Sequence, residues 1–397
     1  MSSLLRQSLV LAHAALAGIP RRAAVSLSMI LSIALVVAVL TGFLAMAAGL
    51  RQTLAAGGSE EVAVILGGSS QEIASSIPPD ALRGLVGLGA AAGIAPGPGG
   101  ALIGRELLVP VGVIDARGTP RTISLRGMDA IGPGLRGGAT ISSGRSFAAG
   151  SRDIVVGARL ARDLGVVHPG TTIRLGPLDW TVSGIVTAHG GAAESEIWAD
   201  LDAVRSAFDR QGEIQALRLR LDGPTGLAML QEALPRVSAT PLSAMTEADL
   251  QARQSARMER LVTLFGWPIA GLMALGATAG AINTMASSVS ARSVEIATLR
   301  VLGFGRTSAF AATLAEALGL AVVGALLGSL LSVAILDGWQ ASTLGADGTQ
   351  LAFGLAVTPS VLVQAGALAL LVGALGGAIP ALAAMRLPLV EALTGRR

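Results

Sequence analysis

The chain has 397 residues, of which 52% are hydrophobic and only 14% are charged, whereas about a quarter of the residues of a soluble domain carry a charge. This composition excludes an ordinary soluble protein and indicates an integral membrane protein. The net charge of +3 gives no reason to expect nucleic acid as a partner, and the absence of cysteine excludes disulfides and thiolate metal sites.

Four charge-poor runs are long enough to cross a bilayer, whose apolar core takes roughly 20 residues as a helix. They predict transmembrane helices at residues 23–50, 261–291, 307–336 and 351–385. The third run holds a single acid, Glu316. The first run contains an A-x-A pattern at residues 45–47, which is typical of signal-peptide cleavage sites. Because that run is longer than a usual signal core, we expect an uncleaved helix.

The arginines of the short loops predict the orientation, because such loops carry excess Arg and Lys on the cytoplasmic side. Residues 1–22 hold three arginines and no acid, and residues 292–306 and 386–397 each hold three arginines against one acid. The loop at 337–350 holds two acids and no arginine. Both termini and residues 292–306 are therefore expected in the cytoplasm, with residues 51–260 and 337–350 outside.

Residues 51–260 change in character and predict a mixed α+β domain. Runs such as EVAVIL and TTIRLG are typical of strands, and runs such as WADLDAVRSAF have helical spacing. From residue 246 the polar pattern TEADLQARQSARMERL is compatible with a helical stalk, because it continues into the second span without Pro or Gly. The predicted fold class is an α+β membrane protein, with four transmembrane helices and a large mixed periplasmic domain between the first two.

No catalytic, cofactor-binding or metal site of known spacing is found in the sequence. His189 lies near Glu194 and Glu196, but this spacing matches no helical H-x-x-x-H or H-E-x-x-H pattern. The chain also lacks the G-x-x-x-x-G-K-[ST] loop that binds ATP. We therefore expect a non-catalytic chain without a cofactor of its own, and a solvated or partner-contacting loop at His189.

Small residues recur at four-residue spacing in the predicted spans. The pairs are Gly276 with Gly280, Gly324 with Gly328, and Gly373 with Gly377. Such positions let helices approach closely in lipid. Two interpretations stay open, which are packing within the chain and a seam between two copies of it.

The segment after the second span carries the most specific motif. It reads ARSVEIATLRVLGFGRTSAFAATLAEALGL and resembles the signature of the MacB/FtsX-type permeases of ABC transporters. The matching residues are Arg292, Glu295, Ile296, Leu299, Arg300, Leu302, Gly303 and Glu316. The ending AIPALAAMRLPLVEALTG resembles the C-terminus of the same family. Its matching residues are Pro380, Arg386, Pro388, Glu391, Ala392 and Leu393. The layout of one span, a large external domain and three further spans is also that of this family.

The resemblance implies a multi-pass permease subunit in the bacterial inner membrane. Because the chain has no ATP-binding loop, ATP and Mg²⁺ would bind to a separate ABC ATPase subunit. Two copies of the permease, or this chain and a related second permease, would assemble with two ATPases in contact with membrane lipid. A periplasmic adaptor is a further optional partner.

The implied mechanism is mechanotransmission, in which closure of the ATPases changes the conformation of the external domain. That domain would export a substrate from the periplasm or extract it from the outer leaflet. One alternative is a regulator of a periplasmic cell-wall hydrolase. A less favoured alternative is a membrane-anchored periplasmic enzyme.

Residues 292–306 are the internal cytoplasmic loop, and the resemblance makes them the segment that couples to the ATPase. Helical spacing places Glu295, Leu299 and Leu302 on one stripe. We expect Ile296, Leu299 and Leu302 to supply most of the contact area. The alternative is a loop that its arginines merely anchor at the membrane interface.

Four polar or special residues of this region have individual predicted roles. Glu295 is expected to pair with a cation of the ATPase, and Arg300 with a carboxylate or a backbone carbonyl. Gly303 is expected to end the helix in the left-handed conformation. Because an unpaired charge within a span is costly, Glu316 is expected to have an arginine or backbone partner. The alternative for Glu316 is a protonated carboxyl group.

Overall fold

The structure is a computed structural model and describes residues 23–115, 118–165, 167–344 and 349–386. The predicted segments at 1–22 and 387–397, including Pro388, Glu391, Ala392 and Leu393, lie outside the described residues. The chain divides into two compact units. The helical unit comprises the chain up to Ala48, Glu259–Trp339 and the chain from Leu355 onward, and the second unit comprises Gly49–Met258 and Gln340–Gly354.

The helices and strands are numbered here in chain order. The helices are α1 (Ala23–Ala55), α2 (Pro79–Leu88), α3 (Ala158–Asp163), α4 (Leu201–Ala207), α5 (Gly226–Val237), α6 (Glu247–Ala291), α7 (Ser293–Val301), α8 (Arg306–Leu336) and α9 (Pro359–Arg386). The strands are β1 (Val62–Gly67), β2 (Pro96–Gly97), β3 (Gly100–Ala101), β4 (Ile103–Ile114), β5 (Pro120–Met128), β6 (Thr140–Gly144), β7 (Asp153–Gly157), β8 (Thr172–Leu175), β9 (Leu178–Thr187), β10 (Glu196–Asp200), β11 (Ala216–Arg220), β12 (Leu242–Thr246), β13 (Gln340–Leu344) and β14 (Gln350–Gly354).

Four helices of the described chain are long and apolar enough to cross a membrane, which is the number of transmembrane helices that the sequence predicts. They run over Ser26–Ala55, Leu264–Ala291, Arg306–Leu336 and Pro359–Arg386. The second is the apolar part of α6, a continuous helix of 45 residues. The polar residues that we predicted as a helical stalk are therefore the first turns of the same helix.

The start of the fourth span differs from the prediction. We expected a helix from residue 351, but α9 begins at Pro359. Residues 350–354 instead form β14, which pairs antiparallel with β13. A short apolar run fits a strand as well as a helix. Proline at the first helical position favours a start at Pro359, because its missing N–H would have no helical partner there.

Two of the three glycine pairs pack helices of this chain against each other. A Cβ atom at Gly324 or Gly328 would lie 2.9 Å or 2.5 Å from backbone oxygens of α1. A Cβ atom at Gly373 or Gly377 would lie 2.4 Å from an alanine Cβ of α8. These four glycines therefore support the interpretation of packing within the chain.

The third pair, Gly276 and Gly280 on α6, differs from the other two. A Cβ atom at either position would have no heavy atom of the described chain within 4 Å. Close packing within the chain thus does not account for this pair, and the seam between two copies stays open for it.

The second unit is built on one mixed β-sheet. The strand order is β12-β1-β11-β4-β5-β10-β7-β9-β6, and β8 pairs with β9. The pairs β5–β10 and β7–β9 are parallel, and the other neighbours are antiparallel. β1, which reads VAVILG, is buried along its whole length.

Helices cover this sheet at two apolar cores. One core surrounds the fully buried Trp180 and receives Leu160 from α3 and Val204 from α4. The other receives Leu85 from α2 and Leu230 from α5. The predicted mixed α+β domain is thereby confirmed.

Candidate functional site

The predicted coupling segment contains a short helix that ends at a glycine. α7 is followed by Gly303 with a φ of 100°. The Gly303 N–H donates to the carbonyl of Arg300 at 3.2 Å, and the Phe304 N–H donates to the carbonyl of Leu299 at 3.1 Å. These two bonds form a Schellman motif, which needs a left-handed residue at its centre. The prediction that Gly303 ends the helix is confirmed.

Arg292 lies between α6 and α7 and joins them to α8. Its Nη1 atom lies 2.9 Å from Oε2 of Glu316, and its Nε atom lies 3.2 Å from Oε2 of Glu295. The Ser288 hydroxyl, on α6, donates to Oε1 of Glu316 at 3.3 Å. The expected arginine partner of Glu316 is therefore Arg292. The Glu316 side chain is 5% exposed and the Glu295 side chain is 67% exposed. The two carboxylates that Arg292 contacts therefore differ strongly in their access to solvent.

The exposed apolar surface of this segment differs from the predicted stripe. Val294, Val301 and Leu302 are exposed by 55%, 62% and 72%. Ile296 and Leu299 are only half-exposed. The expected ridge of Ile296, Leu299 and Leu302 therefore does not form the exposed surface, and Leu302 alone of the three is on it.

Helical geometry explains the difference. Val294 and Val301 are seven residues apart and thus almost in line along the helix. Ala297 is completely buried and lies about 40–60° around the helix from these two valines, so it marks the edge at which the exposed side ends. We call Val294, Val301 and Leu302 the α7 surface.

The second unit contains a buried network of charged side chains that the sequence did not predict. Its members, with side chains at most 13% exposed, are Glu72, Glu106, Glu196, Glu247, Arg126, Arg136 and Arg218. Arg126 Nη1 lies 2.9 Å from Glu106 Oε2, and Arg218 Nε lies 3.0 Å from Glu106 Oε1. Arg218 also contacts the carboxylate of Glu247, the first residue of α6. The network therefore ties the middle of the sheet to the start of α6.

The arginines of this network lower the pKa of two of its carboxylates, Glu106 and Glu196. Burial by itself would raise the pKa of Glu106, but the nearby guanidinium groups of Arg136, Arg218 and Arg126 outweigh it and hold that pKa well below its usual range. Burial likewise opposes ionisation of Glu196, yet Arg126 and Arg136 lower its pKa to about 2. Arg136 also lies with its guanidinium carbon 5.9 Å from the centre of the Trp198 ring, a cation–π distance.

The loop at His189 is organised by backbone contacts. The Glu194 carboxylate accepts hydrogen bonds from the backbone N–H groups of Ala188 and Gly190, at 3.0 Å and 2.9 Å. Glu196 belongs to the charge network instead. Within the described ranges, no group of three or more His, Asp or Glu side chains could hold a metal ion.

Comparison with known protein families covers both units. Residues 26–237 match the family model of the MacB-like periplasmic core domain, and residues 268–389 match that of the FtsX-like permease C-terminal region. Four membrane helices with an inserted α+β domain of this type are the layout of an ABC transporter permease. The chain belongs to the MacB/FtsX-type family of these permeases, and this membership implies an ATPase partner. Components of this type are typically non-catalytic.

Two solved structures of isolated domains are similar to part of the chain. One is the extracellular domain of the noncanonic ABC-type transporter YknZ from Gram-positive bacteria, at 14% identity and a TM-score of 0.37, covering 47% of this chain and 100% of that one. The other is the periplasmic region of MacB from Actinobacillus actinomycetemcomitans, at 13% identity and a TM-score of 0.38, covering 51% of this chain and 96% of that one. No curated protein matches the chain.

Proposed function

We propose that this chain is the permease subunit that couples ATP hydrolysis in a separate ATPase to a conformational change of the external domain. One observation carries the proposal. The short helix between two membrane-spanning helices exposes an apolar surface, Val294, Val301 and Leu302, in a loop that otherwise carries charges. Clustered apolar exposure of this kind is typical of a surface that a partner protein covers.

The Arg292 contacts supply a route from that surface into the membrane helices. Arg292 precedes α7 and pairs with Glu316 on α8, while Ser288 of α6 contacts the same carboxylate. A force applied to α7 would therefore act on α6 and α8 together. α6 begins at Glu247, which Arg218 holds to the sheet of the external domain.

The remaining parts of the proposal follow from the orientation and the family. Both termini and the α7 loop would lie in the cytoplasm of a bacterium, with the chain in its inner membrane. ATP and Mg²⁺ would bind to the ATPase, and two permeases would form the complex. The external domain would act on a substrate in the periplasm or outer leaflet, with or without an adaptor.

Association with the cognate ABC ATPase subunit tests the proposal. Val301→Ala and Leu302→Ala each remove apolar contact area, and we expect each to weaken association by roughly 1–3 kcal/mol, which is about 5- to 150-fold. The matched control is Leu331→Ala, which truncates an exposed leucine of α8 far from the loop and should leave association unchanged. Pull-down and ATPase assays in nanodiscs measure both effects. Wild-type association of the Val301→Ala, Leu302→Ala double variant would contradict the proposal.

A further inference from the structure

A groove of about 810 Å³ lies on the second unit, and its volume is within the range of about 300–1,000 Å³ that ligand pockets usually have. Residues 110–114 of β4 and residues 171–174 at β8 line it. Apolar side chains of Leu164, Val167 and Phe208 also line it. Among the described lining residues, Arg174 is the only charged one. The groove is therefore a largely apolar site with one basic group.

β4 has no partner strand along the groove on the side that faces away from β5. β11 pairs with β4 only over residues 103–106. The N–H of Leu108 then donates to the side-chain oxygen of Gln215 at 2.6 Å, and Pro110 has no N–H. Beyond Pro110, no strand of the described chain other than β5 pairs with β4. The groove therefore includes an open strand edge.

The pairing pattern shows which backbone groups this edge presents. The N–H of Asp115 donates to the carbonyl of Thr119 at 3.0 Å, where β4 turns into β5. Hydrogen-bonded and non-hydrogen-bonded pairs alternate along antiparallel strands, so Gly112 and Ile114 point their N–H and C=O groups away from β5. Ile114 is 72% exposed. A Cβ atom at Gly112 would meet no heavy atom of the described chain within 4 Å beyond its chain neighbours. A second backbone thus has room to approach this edge.

β8 presents a similar open edge at the same groove. The N–H of Val182, on β9, donates to the carbonyl of Thr171 at 2.8 Å. The same alternation leaves the N–H and C=O groups of Thr172 and Arg174 pointing away from β9. Within the described residues, β9 is the only strand that pairs with β8. Two strands therefore offer backbone hydrogen-bonding groups at a groove whose side chains are mostly apolar.

These backbone groups decide between two classes of ligand that an apolar groove could bind. An acyl chain would cover the N–H and C=O groups without bonding them, and a covered polar group without a partner costs free energy. An extended peptide supplies N–H and C=O groups at the spacing of a strand and adds to an open sheet edge. The open edges therefore favour a peptide over a lipid chain.

The size and the charge of the groove define the peptide further. Fourteen described residues line the groove, fewer than the roughly 20–30 residues on each side of a standard stable interface. A ligand that binds transiently therefore fits better than a permanent subunit. Arg174 pairs with Asp179 at 3.9 Å, and both side chains are more than half exposed. Such an exposed pair contributes little, so a carboxylate of the peptide can replace Asp179.

We propose that the open edge of β4 binds an extended, apolar peptide with a carboxylate as an added strand, and that this peptide is a segment of the exported substrate. The inference deepens the proposed function and rests on it, because it names a polypeptide as the substrate of the proposed exporter. A strand along residues 110–114 spans about 17 Å. About five residues of a linear or unfolded polypeptide would therefore pair with it.

Binding of a model peptide to the full-length permease alone, in nanodiscs, tests the strand addition. The probe is fluorescein-labelled TVIVTVD, and fluorescence anisotropy measures its affinity, with empty nanodiscs as the blank. Methylation of at least one of the two alternate sets of backbone nitrogens should weaken binding about tenfold or more, since hydrogen bonds to the edge are lost. Dodecanoate should not displace the probe. Displacement by dodecanoate, or equal affinity of methylated and unmethylated peptides, would overturn the proposal.

Gly112→Pro removes one N–H of the open edge and leaves the bonds to β5 in place, as Pro110 does two residues earlier. We expect peptide binding to weaken about tenfold, with an unchanged unfolding temperature. The matched control is Gly112→Ala, which keeps the N–H and should bind as the wild type does. Arg174→Gln should weaken binding of TVIVTVD more than binding of the C-terminal amide of TVIVTVN. Wild-type affinities in both Gly112→Pro and Arg174→Gln would place the peptide elsewhere and overturn the proposal.

ATP turnover of the complex separates this inference from the proposed function. The peptide should raise turnover of the wild-type complex and not that of the Gly112→Pro complex. Binding without any effect on turnover would overturn the assignment of the peptide as substrate. Loss of self-association in Gly112→Pro would show that the edge pairs with a second copy, which would also overturn it. A permease that binds the peptide but no ATPase would instead count against the proposed function and leave the peptide site standing.

Discussion

At the scale of single residues, Arg292 links α7 to the helices on either side of it. It pairs with the buried Glu316 and the exposed Glu295. Exposed ion pairs contribute little, whereas removing one partner of a buried pair leaves an uncompensated charge. The two carboxylates are therefore expected to respond very differently to substitution.

Glu316→Gln should destabilise the permease by about 1–3 kcal/mol, less than a fully buried pair would cost because Arg292 keeps Glu295 as a partner. Arg292→Gln should destabilise the permease more than Glu316→Gln does, since it leaves the Glu316 carboxylate in the helix bundle without its arginine. Thermal unfolding in detergent measures both, and Glu295→Gln is the control with no expected change. Wild-type stability and activity of Glu316→Gln would favour the protonated carboxyl instead of the ion pair.

Gly303→Ala should weaken the end of α7 by about 1–2 kcal/mol, because an L-residue is strained in the left-handed region. The expected result is weaker ATPase association together with a lower unfolding temperature. Gly271→Ala, in α6, is the control, since a Cβ atom there meets no atom of the described chain and alanine favours a helix. Equal behaviour of the two variants would contradict a structural role of the Schellman motif.

The residue-level features differ in how well the sequence predicts them. Gly303 and Glu316 stand out locally, as a helix-ending glycine and as the single acid of a span. The α7 surface depends on which side of the helix packs inward, and that is a property of the surrounding helices. The charge network was missed because Arg126 and Arg218 lie in runs that read as ordinary half-exposed strands.

At the scale of secondary-structure elements, the charge network makes the sheet sensitive to acid. Glu106 lies on β4, Arg126 on β5, Glu196 on β10 and Arg218 on β11. The folded pKa values of Glu106 and Glu196 are both depressed. Between those values and the unfolded pKa, the unfolded chain binds more protons, so stability falls as the pH falls.

We expect the second unit to be stable above about pH 4.3, the usual pKa of Glu, and to lose stability as the pH approaches 2. For Glu196, with a folded pKa of about 2, the loss amounts to at most about 3 kcal/mol. Hydrogen exchange of the β5 and β10 amides between pH 6 and about 3, corrected for the intrinsic pH dependence, measures it.

Two variants separate this effect from general acid denaturation. Glu196→Gln should flatten the pH dependence, whereas Glu232→Gln, which removes an exposed acid paired with Arg236, should leave it as in the wild type. If the pH profile of Glu196→Gln equals that of the wild type, the loss of stability at low pH is not due to Glu196.

The elements were easier to predict than their boundaries. The long apolar helices follow from length and hydropathy alone. The hairpin β13–β14 does not follow from length and hydropathy, because residues 351–357 are apolar and lead into α9 without a break in the apolar pattern. Its strand pairing depends on β13, whose residues pair with β14 residues six to fourteen positions later in the chain.

At the scale of the whole molecule, the arginine distribution predicts which loops face each side of the membrane. Cysteines placed at Ser70 and Ser342 should react with an impermeant thiol reagent in intact cells, and a cysteine at Ser293 should react only after permeabilisation. Each variant has a single thiol, since the chain contains no cysteine. Reaction of Ser293→Cys in intact cells, with protection at Ser342→Cys, would reverse the predicted orientation.

The strand order of the sheet also bears on how the protein is made. Among the strands that the structure describes, β1 pairs with β11 and β12 alone, which the ribosome produces about 150 residues later. At roughly 5–20 residues per second, the wait is on the order of ten to thirty seconds. During that time VAVILG, an apolar run that prefers strands, has no native partner and is prone to aggregate. Secretory chaperones would have to shield it, and fragments that stop before residue 216 should accumulate as insoluble material.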